Sequence, residues 1–157
     1  MKYYLIVCFS LLTFSLSAQD IPSYNLEELE TRIYSTEDVT YIVNFWATWC
    51  VPCIKELPYF EGLEKKYKDD PKVKVILVSL DFANAKENRL IPFVKNKQIK
   101  SEVIHFIEKD ANYWIPRINK NWSGSIPATL VLNGDRKVKE FYEKSFESLE
   151  ELEELLP

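Results

Sequence analysis

Glycine and histidine are scarce in this chain and basic charge is not in excess, and each of these narrows what it can be. Three glycines in 157 residues leave no room for long flexible linkers. A single histidine, His105, argues against a structural zinc site, which takes four ligands. The net charge of −4 offers no basic footprint, so no nucleic-acid partner is expected. No internal repeat and no low-complexity run is visible. An apolar share of 46% is enough to fill the core of one domain of ordinary size. The acids Glu27, Glu28, Glu30 and those from Glu150 to Glu154 stand beside leucines at helical spacing. They read as solvated helix faces.

Residues 1–18 have the grammar of an export signal. Lys2 supplies the charge, Tyr3 to Leu16 an apolar stretch, and Ser17-Ala18 the small residues of an exit site. At about 1.5 Å per helical residue, that stretch is too short to cross a bilayer comfortably. Cleavage is expected after Ala18, with Ser17 as the alternative, leaving one domain over residues 19–157. Cys8 follows the bulky Val7 and reads as apolar filler that leaves with the signal, not as a lipidation site. The mature chain then keeps two cysteines, Cys50 and Cys53, in an oxidising, extracytoplasmic compartment such as the periplasm.

The rest of the chain alternates between two periods. Asn25 with Glu28 is a capping box opening a short helix through Leu26, Leu29 and Ile33. Tyr41–Ala47 and Val73–Leu80 read as buried strands and Glu102–Ile107 as a third. A long helix runs from Cys50 to about Tyr67 with Pro58 expected to kink it. Glu87–Lys97 is a second helix disturbed early by Pro92, and Ala111–Lys120 a weaker one. Ala128–Leu132 and Val138–Tyr142 flank Asn133-Gly134-Asp135, a hairpin signature, and Ser148 caps a last helix through Leu155. The order β-α-β-α-β-α-β-β-α gives an α/β fold with a mixed sheet sandwiched by helices.

Everything turns on the seam Trp49-Cys50-Val51-Pro52-Cys53, where the first central strand ends and the long helix begins. A helix start has unsatisfied N–H groups and a positive dipole end. A thiolate held there has a lowered pKa and becomes a usable nucleophile. Pro52 fits, because its missing N–H is not needed in a first turn. A stapling disulfide is the plainer reading, but so short a loop constrains the unfolded chain little. Redox chemistry is the stronger one.

This seam resembles the active site of the thioredoxin superfamily, and more closely its TlpA/ResA-like thiol–disulfide oxidoreductases. The matching residues are Asn44-Phe45-Trp46-Ala47, Trp49-Cys50-Val51-Pro52-Cys53 and Lys55-Glu56-Leu57-Pro58. The resemblance covers nearly all of the mature chain and implies a thioredoxin-like fold with a TlpA-type strand and helix inserted within Ala85–Asn119. It implies that Cys50 attacks a substrate disulfide and that Cys53 resolves the mixed disulfide. It further implies that Glu56 moves a proton at the buried thiol; a first-turn acid that merely complements the helix dipole is the alternative. Asn44 departs from thioredoxin, which has a buried aspartate there, and Leu77 stands near the place of its lysine partner. A neutral amide cannot act as a base, which shifts proton handling toward Glu56. Ile126-Pro127 matches the cis-proline loop that faces the cysteines. With Trp49 and Pro52 it would form the surface on which a disulfide-containing polypeptide lies. Trp46, Trp114 and Trp122 read as packing, and His105 as a core or edge residue.

The direction of electron flow follows from the dipeptide between the cysteines. Strong oxidants stabilise the reduced thiolate, for instance with a histidine there; Val51-Pro52 has none and resembles the reducing members. The expectation is a monomeric disulfide reductase, recharged by a membrane thiol reductant and needing no cofactor or metal beyond its own cysteine pair. Apocytochrome c maturation or disulfide repair would be its task. The rival is a copper(I) carrier using both thiolates, with His105 as a possible third ligand. A peroxidase would need Thr-x-x-Cys, and Ala47 stands at the threonine position.

Overall fold

The computed structural model describes residues 20–34, 38–134 and 137–156, so the expected signal over residues 1–18 lies outside it, as does Asp135. A two-residue strand, β1 (Ser23–Tyr24), leads into α1 (Leu26–Ile33). The capping box forms as the sequence implies: Glu28 N–H donates to Asn25 Oδ1 at 2.9 Å and Asn25 N–H to Glu28 Oε2 at 2.8 Å. Then come β2 (Thr40–Trp46), α2 (Val51–Tyr67) and β3 (Val73–Ser79). All seven residues of β2 are buried, which explains its apolar, unalternating sequence. Helix α2 continues past Pro58 to Tyr67.

The expected helix over Glu87–Lys97 is divided. A 3-10 turn (Ala83–Ala85) and a π-helical turn (Lys86–Leu90) come first, and the α-helix proper, α3, is Ile91–Lys97. Pro92 is the second residue of α3 and directly follows the π-helical turn, whose carbonyl at Lys86 accepts from Ile91 N–H. The chain goes on through β4 (Glu102–Phe106), α4 (Ala111–Ile118), the hairpin β5 (Ala128–Asn133) and β6 (Val138–Tyr142), and α5 (Leu149–Glu153). Helix α5 stops short of Leu155, which lies in the turn that follows.

The six strands form one sheet in the order β1-β4-β3-β2-β5-β6. Strands β1, β4, β3 and β2 are mutually parallel, while β5 runs antiparallel to β2 and to β6. Successive side chains of β2 point to opposite faces and so enter two cores. Ile42 and Trp46 face Leu57, Phe60 and Leu63 of α2, with Val94 and Leu152 from α3 and α5. Val43 and Phe45 face Leu26, Leu29 and Ile33 of α1, with Trp114 and Ile118 of α4. The chain is therefore a thioredoxin-like α/β sandwich with a mixed sheet. Each large side chain buried this fully contributes roughly 1.5–3 kcal/mol.

The tryptophans assigned to packing do pack. Trp46 meets Phe93 at 5.5 Å between ring centroids, and Trp122 meets Phe45 at 4.9 Å and Trp114 at 5.2 Å.

Candidate active site

Strand β2 ends at Trp46, and the chain turns at once: Cys50 N–H donates to the Ala47 carbonyl at 3.1 Å. Cys50 is then the N-cap of α2, with extended backbone at φ −87° and ψ 99°. Its carbonyl accepts the first helical bond, from Ile54 N–H at 3.0 Å. Its Sγ accepts from Cys53 N–H at 3.3 Å, taking the role that a serine or aspartate oxygen usually has at this position. Cys50 and Cys53 are joined in a disulfide. Cys50 keeps 6% of its surface exposed and Cys53 none, so the outer-then-inner order holds, although even the outer sulfur is largely buried.

The Ile126–Pro127 peptide bond is cis, and the Ile126 carbonyl oxygen lies 3.8 Å from Cys50 Sγ. The start of β5 thus meets the start of α2. Trp122 braces the approach, its indole N–H donating to the Ser125 carbonyl at 2.8 Å. Around the sulfurs, Trp49 and Val51 are strongly exposed, Pro52 is exposed, Ile126 is half-buried and Pro127 is buried. Phe82 belongs to the same end of the sheet, following β3, and is 72% exposed, which its sequence context did not reveal.

Glu56, one turn beyond Cys53, is 1% exposed. It is therefore not the solvated first-turn acid of the dipole reading. Its Oε1 accepts from Asn44 Nδ2 at 2.8 Å and its Oε2 from Phe146 N–H at 2.9 Å. Burial pushes the carboxyl up to about 7, against the opposing pull of the Phe146 N–H and the Asn44 amide. Asn44 pairs in register with Leu77, so the buried acid and lysine of thioredoxin are replaced by an amide and an apolar residue. The Asn44 amide also donates to Thr129 Oγ1 at 3.2 Å, while its Oδ1 is buried without a hydrogen-bond partner among the described residues.

A second buried carboxylate, Asp81, was missed by sequence reasoning. It is 2% exposed and accepts from Thr48 N–H at 3.0 Å, Thr48 Oγ1 at 2.6 Å and Ser79 Oγ at 2.8 Å. The only trace in the sequence is an acid directly after an apolar strand. His105 is a core residue, its Nε2 3.0 Å from the Asp81 carbonyl oxygen and its Nδ1 3.3 Å from Ser23 Oγ. It is thus engaged away from the sulfurs. Among the described residues no three His, Cys, Asp or Glu side chains are grouped to hold a metal ion.

Comparison with known proteins agrees with this geometry. The AhpC/TSA family matches residues 13–141. The thioredoxin-like protein YneN of Bacillus subtilis is 30% identical over 119 residues, covering 73% of this chain and 64% of that one. The thiol-disulfide oxidoreductase ResA of Bacillus cereus is 31% identical over 125 residues, covering 78% of this chain and 66% of that one. The chain thus spans just under two thirds of the length of these curated relatives. A solved DsbF homologue from Corynebacterium diphtheriae shares the fold at a TM-score of 0.61 and 17% identity, covering 77% of this chain and 72% of that one. With a family match running through most of its length, the chain belongs to the AhpC/TSA family, on its thioredoxin-like, TlpA/ResA-like side.

Proposed function

We propose that the protein is an exported thiol–disulfide oxidoreductase that reduces disulfides in extracytoplasmic polypeptides. The observation that carries this reading is the Cys50–Cys53 pair at the start of α2, with Cys50 Sγ facing the Ile126 carbonyl. In the reduced enzyme, the Cys50 thiolate attacks one sulfur of a substrate disulfide, and the other sulfur leaves as a thiolate and is protonated. Cys53 gives up its proton, with Glu56 as the nearby acceptor, and attacks Cys50 Sγ. The substrate's second sulfur leaves, and the enzyme is oxidised by two electrons to the Cys50–Cys53 disulfide. A membrane thiol reductant returns the pair to the dithiol.

Trp49, Pro52 and Ile126, backed by the buried Pro127, form the surface that receives the polypeptide. Maturation of apocytochrome c and repair of misbridged proteins are the tasks that suit such an enzyme. The copper(I) reading loses its third ligand, because both ring nitrogens of His105 face other partners.

The test pairs an insulin-reduction assay with equilibration against glutathione and copper(I) titration of the dithiol form. A reductase should precipitate insulin chains and equilibrate below about −200 mV. Failure to reduce insulin, together with tight stoichiometric copper(I) binding, would replace this reading with the carrier.

A further inference from the structure

We propose that Asp81 is a positioning residue for Cys50, acting through Thr48; the inference rests on the redox role given above for the cysteine pair. Thr48 is the second residue of the turn Ala47–Cys50, closed by the Cys50 N–H on the Ala47 carbonyl at 3.1 Å. In such a turn the N–H of the second residue has no partner inside the turn. Here it donates to Asp81 Oδ2 at 3.0 Å, and the Thr48 hydroxyl donates to Asp81 Oδ1 at 2.6 Å. Both oxygens of one carboxylate therefore hold one residue of the turn, at its backbone and at its side chain.

Asp81 is itself held from the other side. Ser79 Oγ donates to Oδ2 at 2.8 Å, and the Asp81 N–H donates back to Ser79 Oγ at 3.2 Å. The Asp81 carbonyl meets His105 Nε2 at 3.0 Å, and His105 Nδ1 meets Ser23 Oγ, which in turn accepts from Lys86 Nζ at 3.0 Å. The ends of β1, β4 and β3 thereby act together on one turn. Among the described residues no lysine or arginine pairs with the Asp81 carboxylate. Hydrogen bonds alone compensate its burial, and two of its three donors come from Thr48. A carboxylate used this way sets the turn rigidly. What the turn delivers is Cys50 Sγ, 3.3 Å from the Cys53 N–H at the positive end of α2. The helix start that lowers the thiol's proton affinity and the sulfur it acts on are thus registered by a contact 33 residues away in sequence.

The test uses the reduced full chain and reads the carboxymethylation rate of Cys50 at pH 7, with the glutathione equilibrium constant alongside. Thr48→Val keeps the shape and loses the hydroxyl, and Thr48→Ser keeps the hydroxyl. Thr48→Val should slow carboxymethylation by about tenfold, as expected when a thiolate's helix-terminus contact is weakened, and Thr48→Ser should restore it. Asp81→Asn separates positioning from charge. Removal of a nearby negative charge alone would speed the reaction, whereas loss of the turn's registration slows it. Ile118→Val, in the core on the other side of the sheet, controls for lost stability and should leave the rate unchanged. A wild-type or faster rate in Thr48→Val, or in Asp81→Asn should the valine variant not fold, overturns the proposal. So does equal slowing in Ile118→Val. Because alkylation needs no protein substrate, failure of the wild type to reduce insulin would reject the reductase reading while leaving this inference standing.

Discussion

The side-chain amide of Asn44, in the middle of β2, donates a 2.8 Å hydrogen bond to the Glu56 carboxyl on α2. Asn44 is fully buried and Glu56 nearly so, and among the described residues no cation accompanies them. A buried carboxyl with only neutral donors is the arrangement that raises its proton affinity. Burial holds the Glu56 carboxyl at about 7, one helical turn beyond Cys53.

Glu56 should therefore govern a stability change with pH. Its folded-state value, about 7, lies above the ordinary value of 4.5. Its contribution is fully present below about pH 4.5 and is lost as the pH rises through about 7, a fall on the order of 3 kcal/mol. Urea titrations of Glu56→Gln should lack that descent, and its thiol-exchange rate should lose the inflection near pH 7. Parallel stability curves for the two proteins would reject the assignment.

Asn44→Asp should sharpen the effect. It places a second carboxyl at hydrogen-bonding distance from Glu56, and two like charges cannot both ionise there at low cost. The variant should be destabilised by roughly 1–3 kcal/mol above pH 7 and recover as the pH falls. Carboxyl titration followed by infrared spectroscopy or NMR should show one group moved to still higher pH. An unshifted Glu56 in this variant would contradict the contact.

The two cysteines should fail in different ways. Cys50→Ser should abolish insulin reduction, while Cys53→Ser should accumulate a stable mixed disulfide that can be trapped from an extract. Iodoacetamide should modify Cys50 first in the reduced protein, since Cys53 is fully buried. Faster labelling of Cys53 would reverse their roles.

Asn25→Ala should test a purely structural device. It removes the side-chain half of the α1 capping box, which is worth about 1 kcal/mol. The urea midpoint should fall with the m-value unchanged, and Cys50 reactivity should not move, because α1 packs on the opposite face of the sheet. A change in thiol reactivity would mean that the two layers are coupled.

What could be read from the sequence was whatever depends on neighbours along the chain. The capping box at Asn25, the buried run of β2 and the cysteines at a helix start are all set by residues within a few positions of one another. The misses have longer reach. Strand β1 is two residues long, too short for a periodicity, and exists because Ser23 and Tyr24 lie in register with His105 and Phe106. The π-helical turn before α3 has no sequence signature beyond Pro92. Glu56 was ambiguous because its partner, the Phe146 N–H, is 90 residues away and belongs to the backbone, which carries no side-chain identity. Asp81 was invisible for a similar reason: its meaning lies in Thr48, beyond the end of another strand.

The antiparallel course of β5 along β2 has a consequence for how such a chain can vary. Phe45 stands opposite Ala128, so β5 sets out from the place where β2 finishes. The chain from Cys50 to Ile126, which stand 76 positions apart in sequence, accordingly forms a closed excursion that returns to its own origin. Lengthening or trimming that excursion leaves the gap between its ends untouched, provided β3 and β5 keep their register on β2. The distance between Cys50 and Ile126 is thus set by the register of β5 on β2, not by the length of chain that joins them.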